Sequence, residues 1–231
     1  MKTIISLLRF CFPVFVLVLG ITLIFASVPI SLIQVFLALD YVIALYLFFT
    51  RIIRKQFPKY FPQLIVHFSI LTCGLAIATT RTFLSIKTLE EQIPIVRIIG
   101  GWICRDNYVC GFFTTLINIA FIFTFCKLYT GHTTRVARFE SVDHLRNLDD
   151  KRQFYASWAA SSEFLLGTFQ ALIVLFVIAV GGGVAVGILD CGMQWHEALN
   201  QYIMLSSGYL ALFIIPMFLA ALSSGKPEVT D

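Results

Sequence analysis

Between Glu163 and Asp190 lie 26 consecutive residues without a charge, FLLGTFQALIVLFVIAVGGGVAVGIL. About 20 apolar residues in a helix cross the ~30 Å hydrocarbon layer of a bilayer, so this run predicts a membrane-spanning helix. Its glycines, Gly181, Gly182, Gly183 and Gly187, are not followed by the Lys-Ser or Lys-Thr of a phosphate loop, which excludes a nucleotide site of that kind. Ala179, Gly183 and Gly187 recur at every fourth position. That small-xxx-small spacing lets helix backbones approach closely in lipid, and it predicts a flat packing face on this span.

The rest of the chain is of the same kind. Hydrophobic residues make up 58% of the 231 positions and charged residues 13%, far from the roughly half and quarter of a soluble domain. Further apolar runs cover residues 10–26, 30–49, 61–84, 109–128 and 202–222. The predicted fold class is therefore all-α: a polytopic membrane protein of about six transmembrane helices with both termini cytoplasmic. A four-helix membrane region (1–128), a cytoplasmic loop (129–163) and a two-helix membrane region with a short tail (164–231) are expected to follow one another. Only Ser27, Val28 and Pro29 separate the first two runs, which predicts a tight helical hairpin. The third run carries His67, Ser69, Thr72, Thr79, Thr80 and Arg81 and is expected to face protein more than lipid.

Orientation follows from the basic residues. With the N-terminus inside, 13 of the 17 Lys and Arg fall on the cytoplasmic side, leaving Arg81, Lys87, Arg97 and Arg105 outside. The net charge of +4 is thus a topology signal, and it does not gather on a soluble face as a nucleic-acid partner would require. A competing reading of the start is a cleaved signal peptide ending near Ala26 and Ser27, which leaves the later spans unchanged. The six cysteines and four histidines have no metal-ligand spacing, so no metal or cofactor is expected. Cys104, Cys110 and Cys191 share the outer side, where a disulfide can form if that side is oxidising.

Asp40, in LALDYVIAL, is the sharpest anomaly. A carboxylate near the centre of a span costs about 3 kcal/mol on insertion scales. Two readings stand open: an ion or proton relay with His67 and Arg81, or a neutral acid hydrogen-bonded to another helix. Arg81 lies toward the outer end of its span, where it can also snorkel outward. The connection from Tyr129 to Ser162 mixes Arg135, Arg138, Arg146, Lys151 and Arg152 with Glu140, Asp143, Asp149 and Asp150. It reads as a solvated, partly helical loop, and the acids at Asp149 and Asp150 suit the start of the helix that enters the next span.

The order of segments resembles the FHIPEP family, the large export-gate subunit of bacterial flagellar and type III secretion systems. FPQLIVHFSILTCGLAIATTRTFLS (61–85) is similar to that family's third span, and TTRVARF (133–139) to its cytoplasmic Arg-Val to Ala-Arg-Phe segment. QFYASWAASSEFLLGTFQALIVLFVIAVGGG (153–183) resembles the approach to its glycine-bearing fifth span. GILDCGMQWHEALNQYIMLSSGYLALFIIP (187–216) resembles the entry to its sixth. The resemblance implies a multi-pass protein of the bacterial inner membrane. It also implies other export-apparatus membrane subunits as partners, a homo-oligomeric ring, and a loop whose Arg135, Arg138, Lys151 and Arg152 line the interface between neighbours.

Departures matter as much. The stretch between Phe139 and Phe154 is too short for the family's Pro-Gly-Lys-Gln-Met signature. Ala159, Thr168 and Tyr209 stand where the family has acids, Leu166 where it has a basic residue, and Asp40 where it usually has Asn. Proton coupling needs ionisable groups, so the expectation is a shortened, divergent export-gate relative acting in structure or assembly. The alternative is a small proton- or ion-coupled transporter using Asp40 and His67, or an unrelated assembly factor. No Ser-His-Asp order, HExxH or intramembrane Gly-x-Ser-Gly signature suggests an enzyme.

Overall fold

The structure is a computed structural model that describes residues 2–26, 28–53, 60–85, 93–105, 107–143 and 149–225, with side chains outside 2–13 and 137–152. Among the described residues there are helices and no strands. The helices are α1 (Lys2–Phe25), α2 (Ile30–Ile53), α3 (Phe61–Ser85), α4 (Pro94–Cys104), α5 (Tyr108–Asp143), α6 (Asp149–Leu189) and α7 (Trp195–Ser223). Among the residues whose side chains are described, five helices, α2, α3, α5, α6 and α7, are long and apolar enough to cross a membrane, and the described part of α1 (Val14–Phe25) is a shorter apolar helix. The chain is a multi-pass membrane protein.

Local chemistry sets the boundaries. Pro94 opens α4, where a missing N–H costs nothing. Arg105 closes α4 in the left-handed region (φ 45°), its N–H returning to the Gly101 carbonyl. The side chain of Asn107 then caps α5, its Oδ1 accepting from the amides of Val109 (3.0 Å) and Cys110 (3.2 Å). Gly192, at φ 65°, makes the turn between α6 and α7.

α3 and α7 form the centre. α3 packs against α1, α2, α6 and α7; α7 packs against α2, α4, α5 and α6 as well. Both are rich in small and hydroxyl residues that are buried: Ser69, Thr72, Gly74, Ala76, Thr79 and Thr80 on α3, and Ser206, Ser207 and Gly208 on α7. Most of the hydroxyls bond to the carbonyl four residues back in their own helix, as Ser69 does to Ile65 (2.9 Å) and Thr79 to Leu75 (2.7 Å). This removes the cost of an unpaired polar group in lipid and leaves a smooth surface for neighbours.

Three features differ from the expectation. α1 and α2 follow each other closely but do not pack together among the described residues: α1 lies on α3, and α2 on α7 and α3. The reason is a glycine crossing. A Cβ at Gly74 would strike the backbone of Gly20, so α1 and α3 meet with main chain against main chain. Next, α5 does not end near Leu128 but runs to Asp143, and α6 starts at Asp149. At 1.5 Å per residue the 41 residues of α6 span about 60 Å, twice the hydrocarbon thickness, so the α5–α6 connection is largely two helical extensions. Finally, α4 is an additional short helix inside the stretch expected to be an outer connection.

One end of the bundle is fastened by aromatics. Trp158 of α6 is fully buried, stacks on Phe61 at the start of α3 (centroids 5.5 Å, 14°), and donates from Nε1 to the Ser224 carbonyl (3.2 Å). Tyr129 of α5 donates to the Leu222 carbonyl at the end of α7 (3.1 Å).

Candidate functional site

Asp40 sits midway along α2, fully buried, on the face toward α3 and α7. Thr72 Oγ1 lies 2.7 Å from Asp40 Oδ1 and 3.0 Å from the Phe68 carbonyl. A hydroxyl has one proton and here faces two acceptors. Thr72 shares that proton between them, donating to Asp40 Oδ1 and to the carbonyl of its own helix. Asp40 Oδ2 has no partner among the described residues.

The other two relay candidates are elsewhere. The guanidinium of Arg81 reaches the carbonyls that end α1, donating from Nη1 to Ile24 (3.4 Å) and Phe25 (3.2 Å) and from Nη2 to Ala26. It caps a helix C-terminus, where the exposed carbonyls and the dipole favour a cation. Arg81 is nine residues beyond Thr72 on α3, about 13 Å along the axis. His67, half-buried, has Nδ1 2.5 Å from the Gln63 carbonyl one turn back. The structure therefore joins Asp40 to Thr72 and does not bring Asp40, His67 and Arg81 into one chain of hydrogen bonds.

The glycine seam of α6 packs on α7. A Cβ at Gly183 would strike the ring of Tyr202, and one at Gly187 would meet Tyr202 Cε2 at 2.7 Å and Ala198 Cβ at 3.1 Å; Ala179 continues the buried face. The seam is a slot for an aromatic ring, which itself packs edge-on against Phe83 of α3 (centroids 5.5 Å, 80°). Gly181, which opens the run of three glycines, has open space at its Cβ. A second crossing escaped the sequence reading: Gly100 of α4 lies against the Met204 carbonyl, and Gly208 of α7 against the Val96 carbonyl. The signal was available as a glycine in each segment, but the two are over one hundred residues apart and nothing local pairs them.

Tyr209 joins α7 to α3. Its hydroxyl donates to the Ala76 carbonyl (2.8 Å) and accepts from Thr80 Oγ1 (2.8 Å), with the whole side chain buried. Thr115 of α5 similarly donates to Ser207 of α7 (2.8 Å). Thr168 bonds within α6 to the Phe164 carbonyl (3.1 Å), and Ala159 is buried. Of the basic loop residues, Arg135 is exposed on α5; Arg138, Lys151 and Arg152 lie in α5 and α6, and their side chains fall outside the described residues. Cys104, Cys110 and Cys191 are not joined by a disulfide in this structure. Among the described residues no group of His, Cys, Asp and Glu could hold a metal.

No family model matches the chain, and no solved structure does. Curated proteins do. The flagellar biosynthesis protein FlhA of Borreliella burgdorferi is 25% identical, over 85% of this chain and 33% of its own length. The invasion protein InvA of Salmonella typhimurium is 23% identical, over 90% of this chain and 34% of its own. The protein MxiA of Shigella flexneri is 21% identical over the same shares. This chain spans about a third of the length of the curated relatives it matches. None of the three bears the name of a solute transporter, so the transporter alternative gains no support. Over most of its length the chain is thus similar to flagellar and invasion components alike, in line with the resemblance to the FHIPEP family that its segments carry.

Proposed function

We propose that this chain is a membrane component of a bacterial flagellar or virulence-type type III export gate, residing in the inner membrane with both termini cytoplasmic. In this reading it acts in structure and assembly beside other export-apparatus membrane subunits and catalyses no reaction. The observation that carries it is the similarity of 85–90% of the chain to a third of FlhA, InvA and MxiA.

The packing supports a scaffold role over a proton relay. Where the family resemblance places acids, Tyr209 is locked between Thr80 and Ala76, Thr168 bonds within its own helix, and Ala159 fills a buried contact. Each is uncharged, and their polar groups are spent on helix contacts. Affinity purification of the tagged chain from mild detergent extracts of its own bacterium is expected to bring down other membrane subunits of the apparatus. Proteoliposomes of the purified chain are expected to pass protons no faster than empty ones, read with an entrapped pH dye. Robust flux, or a membrane extract in which no apparatus subunit accompanies the chain, would overturn the proposal.

A further inference from the structure

A cleft of about 810 Å³ opens between α5 and α6, at the end of the bundle fastened by Trp158 and Tyr129. Its floor is apolar, with Phe123, Leu128 and Leu166, and its wall carries Lys127, His132 and Arg135. The basic groups are exposed and spaced along about two turns of α5. Facing them is Ser162, fully buried, whose Oγ has no hydrogen-bond partner among the described residues. An unpaired buried hydroxyl costs on the order of 1–3 kcal/mol, so its position at a cationic cleft asks for a ligand with acceptor oxygens.

The height of the cleft identifies the source of those oxygens. Glu163 also lines it, and Glu163 is the first charge met on leaving the 26-residue apolar run of α6. On α5, Lys127 is likewise the first charge met after the uncharged run from Tyr108 to Cys126. The cleft thus straddles the hydrocarbon boundary, with apolar residues on its floor and cations at its mouth. A soluble phosphate has no use for the apolar part; an amphiphile uses both. We propose that this cleft binds the headgroup of an anionic phospholipid, with Lys127 and Arg135 on the phosphate, Ser162 completing its hydrogen bonds, and an acyl chain along Phe123 and Leu166. Basic pockets at membrane-helix ends hold anionic headgroups in this manner.

Gly131 provides a test that spares the charges. It lines the cleft, and a Cβ there meets nothing within 4 Å, so Gly131→Leu fills the cleft while strengthening helix propensity. The full chain is purified in a mild neutral detergent and titrated with short-chain phosphatidylglycerol, short-chain phosphatidylcholine or inorganic phosphate. Bound lipid is counted by native mass spectrometry and thermal stability followed in parallel. Phosphatidylglycerol is expected to be retained and to raise the melting temperature, with phosphatidylcholine at least tenfold weaker and inorganic phosphate without effect at equal concentration. Gly131→Leu and the double variant Lys127→Gln/Arg135→Gln are expected to keep wild-type helicity and lose the binding, the double variant by about 25-fold at roughly fivefold per cation. Arg97→Gln on α4 is expected to change nothing. Equal retention of the two lipids, undiminished binding in Gly131→Leu, or saturation by inorganic phosphate alone would each overturn the proposal, the last in favour of a free anion.

Discussion

Two adjacent glycines in α4 separate helix propensity from helix packing. A methyl group added at Gly100 would overlap the backbone of Met204 on α7, with the carbonyl carbon at 2.9 Å and its oxygen closer still, while one added at Gly101 meets nothing within 4 Å. Replacing glycine by alanine inside a helix is worth about 1 kcal/mol wherever the new methyl is free. Gly101→Ala is therefore expected to stabilise the protein by about that amount. In Gly100→Ala the same gain is opposed by an overlap with main chain, which has no rotamer by which to withdraw, and overpacking of this sort costs about 1–3 kcal/mol. The propensity term cancels between the two variants, so their difference isolates the crossing: about 1–3 kcal/mol, or roughly 5- to 150-fold in the folding equilibrium. Denaturation with sodium dodecyl sulfate in mild-detergent micelles measures it, with helicity by circular dichroism for the whole chain and fluorescence of the exposed Trp102 for α4. Gly208→Ala meets the Val96 carbonyl from the other side of the same crossing. Once α4 has been pushed away the second methyl adds little, so the double variant is expected to cost less than the sum of the singles. Equal stabilities for Gly100→Ala and Gly101→Ala would refute the close approach of α4 and α7.

Gly183→Ala is expected to destabilise by about 1–3 kcal/mol through the Tyr202 ring, and Tyr202→Leu in the same chain to recover part of that loss in the same denaturation assay. Tyr209→Phe removes the hydroxyl shared by Thr80 and the Ala76 carbonyl, which still bond to each other (2.9 Å), so a cost of about 0.5–1.5 kcal/mol is expected, that of a net hydrogen bond. Arg81→Gln removes the cation from the carbonyls of Ile24, Phe25 and Ala26; faster hydrogen exchange in the last turns of α1 with α7 unchanged is the expected result, and unchanged exchange in α1 would show that the cap holds nothing.

What the sequence makes legible is whatever depends on a contiguous run of residues. The apolar windows mark α1, α2, α3, α5, α6 and α7 because hydrocarbon thickness demands a minimum length of each, and the hydroxyls of α3 mark it as a helix that needs protein neighbours. α4 escapes the same test, since 11 residues are too few for a span and Arg97 and Arg105 lend it the look of a polar connection. Partnership is hidden as well. The four-residue spacing of Ala179, Gly183 and Gly187 announces a flat face, yet nothing in it says that the occupant is the ring of Tyr202. Chain proximity even misleads: Pro29 turns the chain sharply between α1 and α2, but Gly20 and Gly74, more than fifty residues apart, decide that α1 lies on α3.

The same distinction explains why Asp40 reads as a relay in the sequence and as a packing group in the fold. Span by span, Asp40, His67 and Arg81 are three ionisable residues in neighbouring membrane helices, which is how a proton path is composed. In three dimensions Arg81 is taken by the end of α1 and His67 by its own helix, and the group left within reach of Asp40 is a threonine. A carboxyl group held by one hydroxyl, with no cation placed against it among the described residues, is best matched by the uncharged acid, and an amide has nearly its shape and polarity. Asp40→Asn is accordingly expected to leave stability within about 0.5 kcal/mol of the parent, with the Asn oxygen accepting from Thr72. Asp40→Leu strips Thr72 of that neighbour but leaves it the Phe68 carbonyl, so its cost is a matter of shape, about 1 kcal/mol. Asp40→Lys forces a charge into a fully buried site and is expected to prevent accumulation in the membrane. If Asp40→Asn instead proved as damaging as Asp40→Lys, an ionised carboxylate would be required at this position, and the scaffold reading of the bundle core would fall with it.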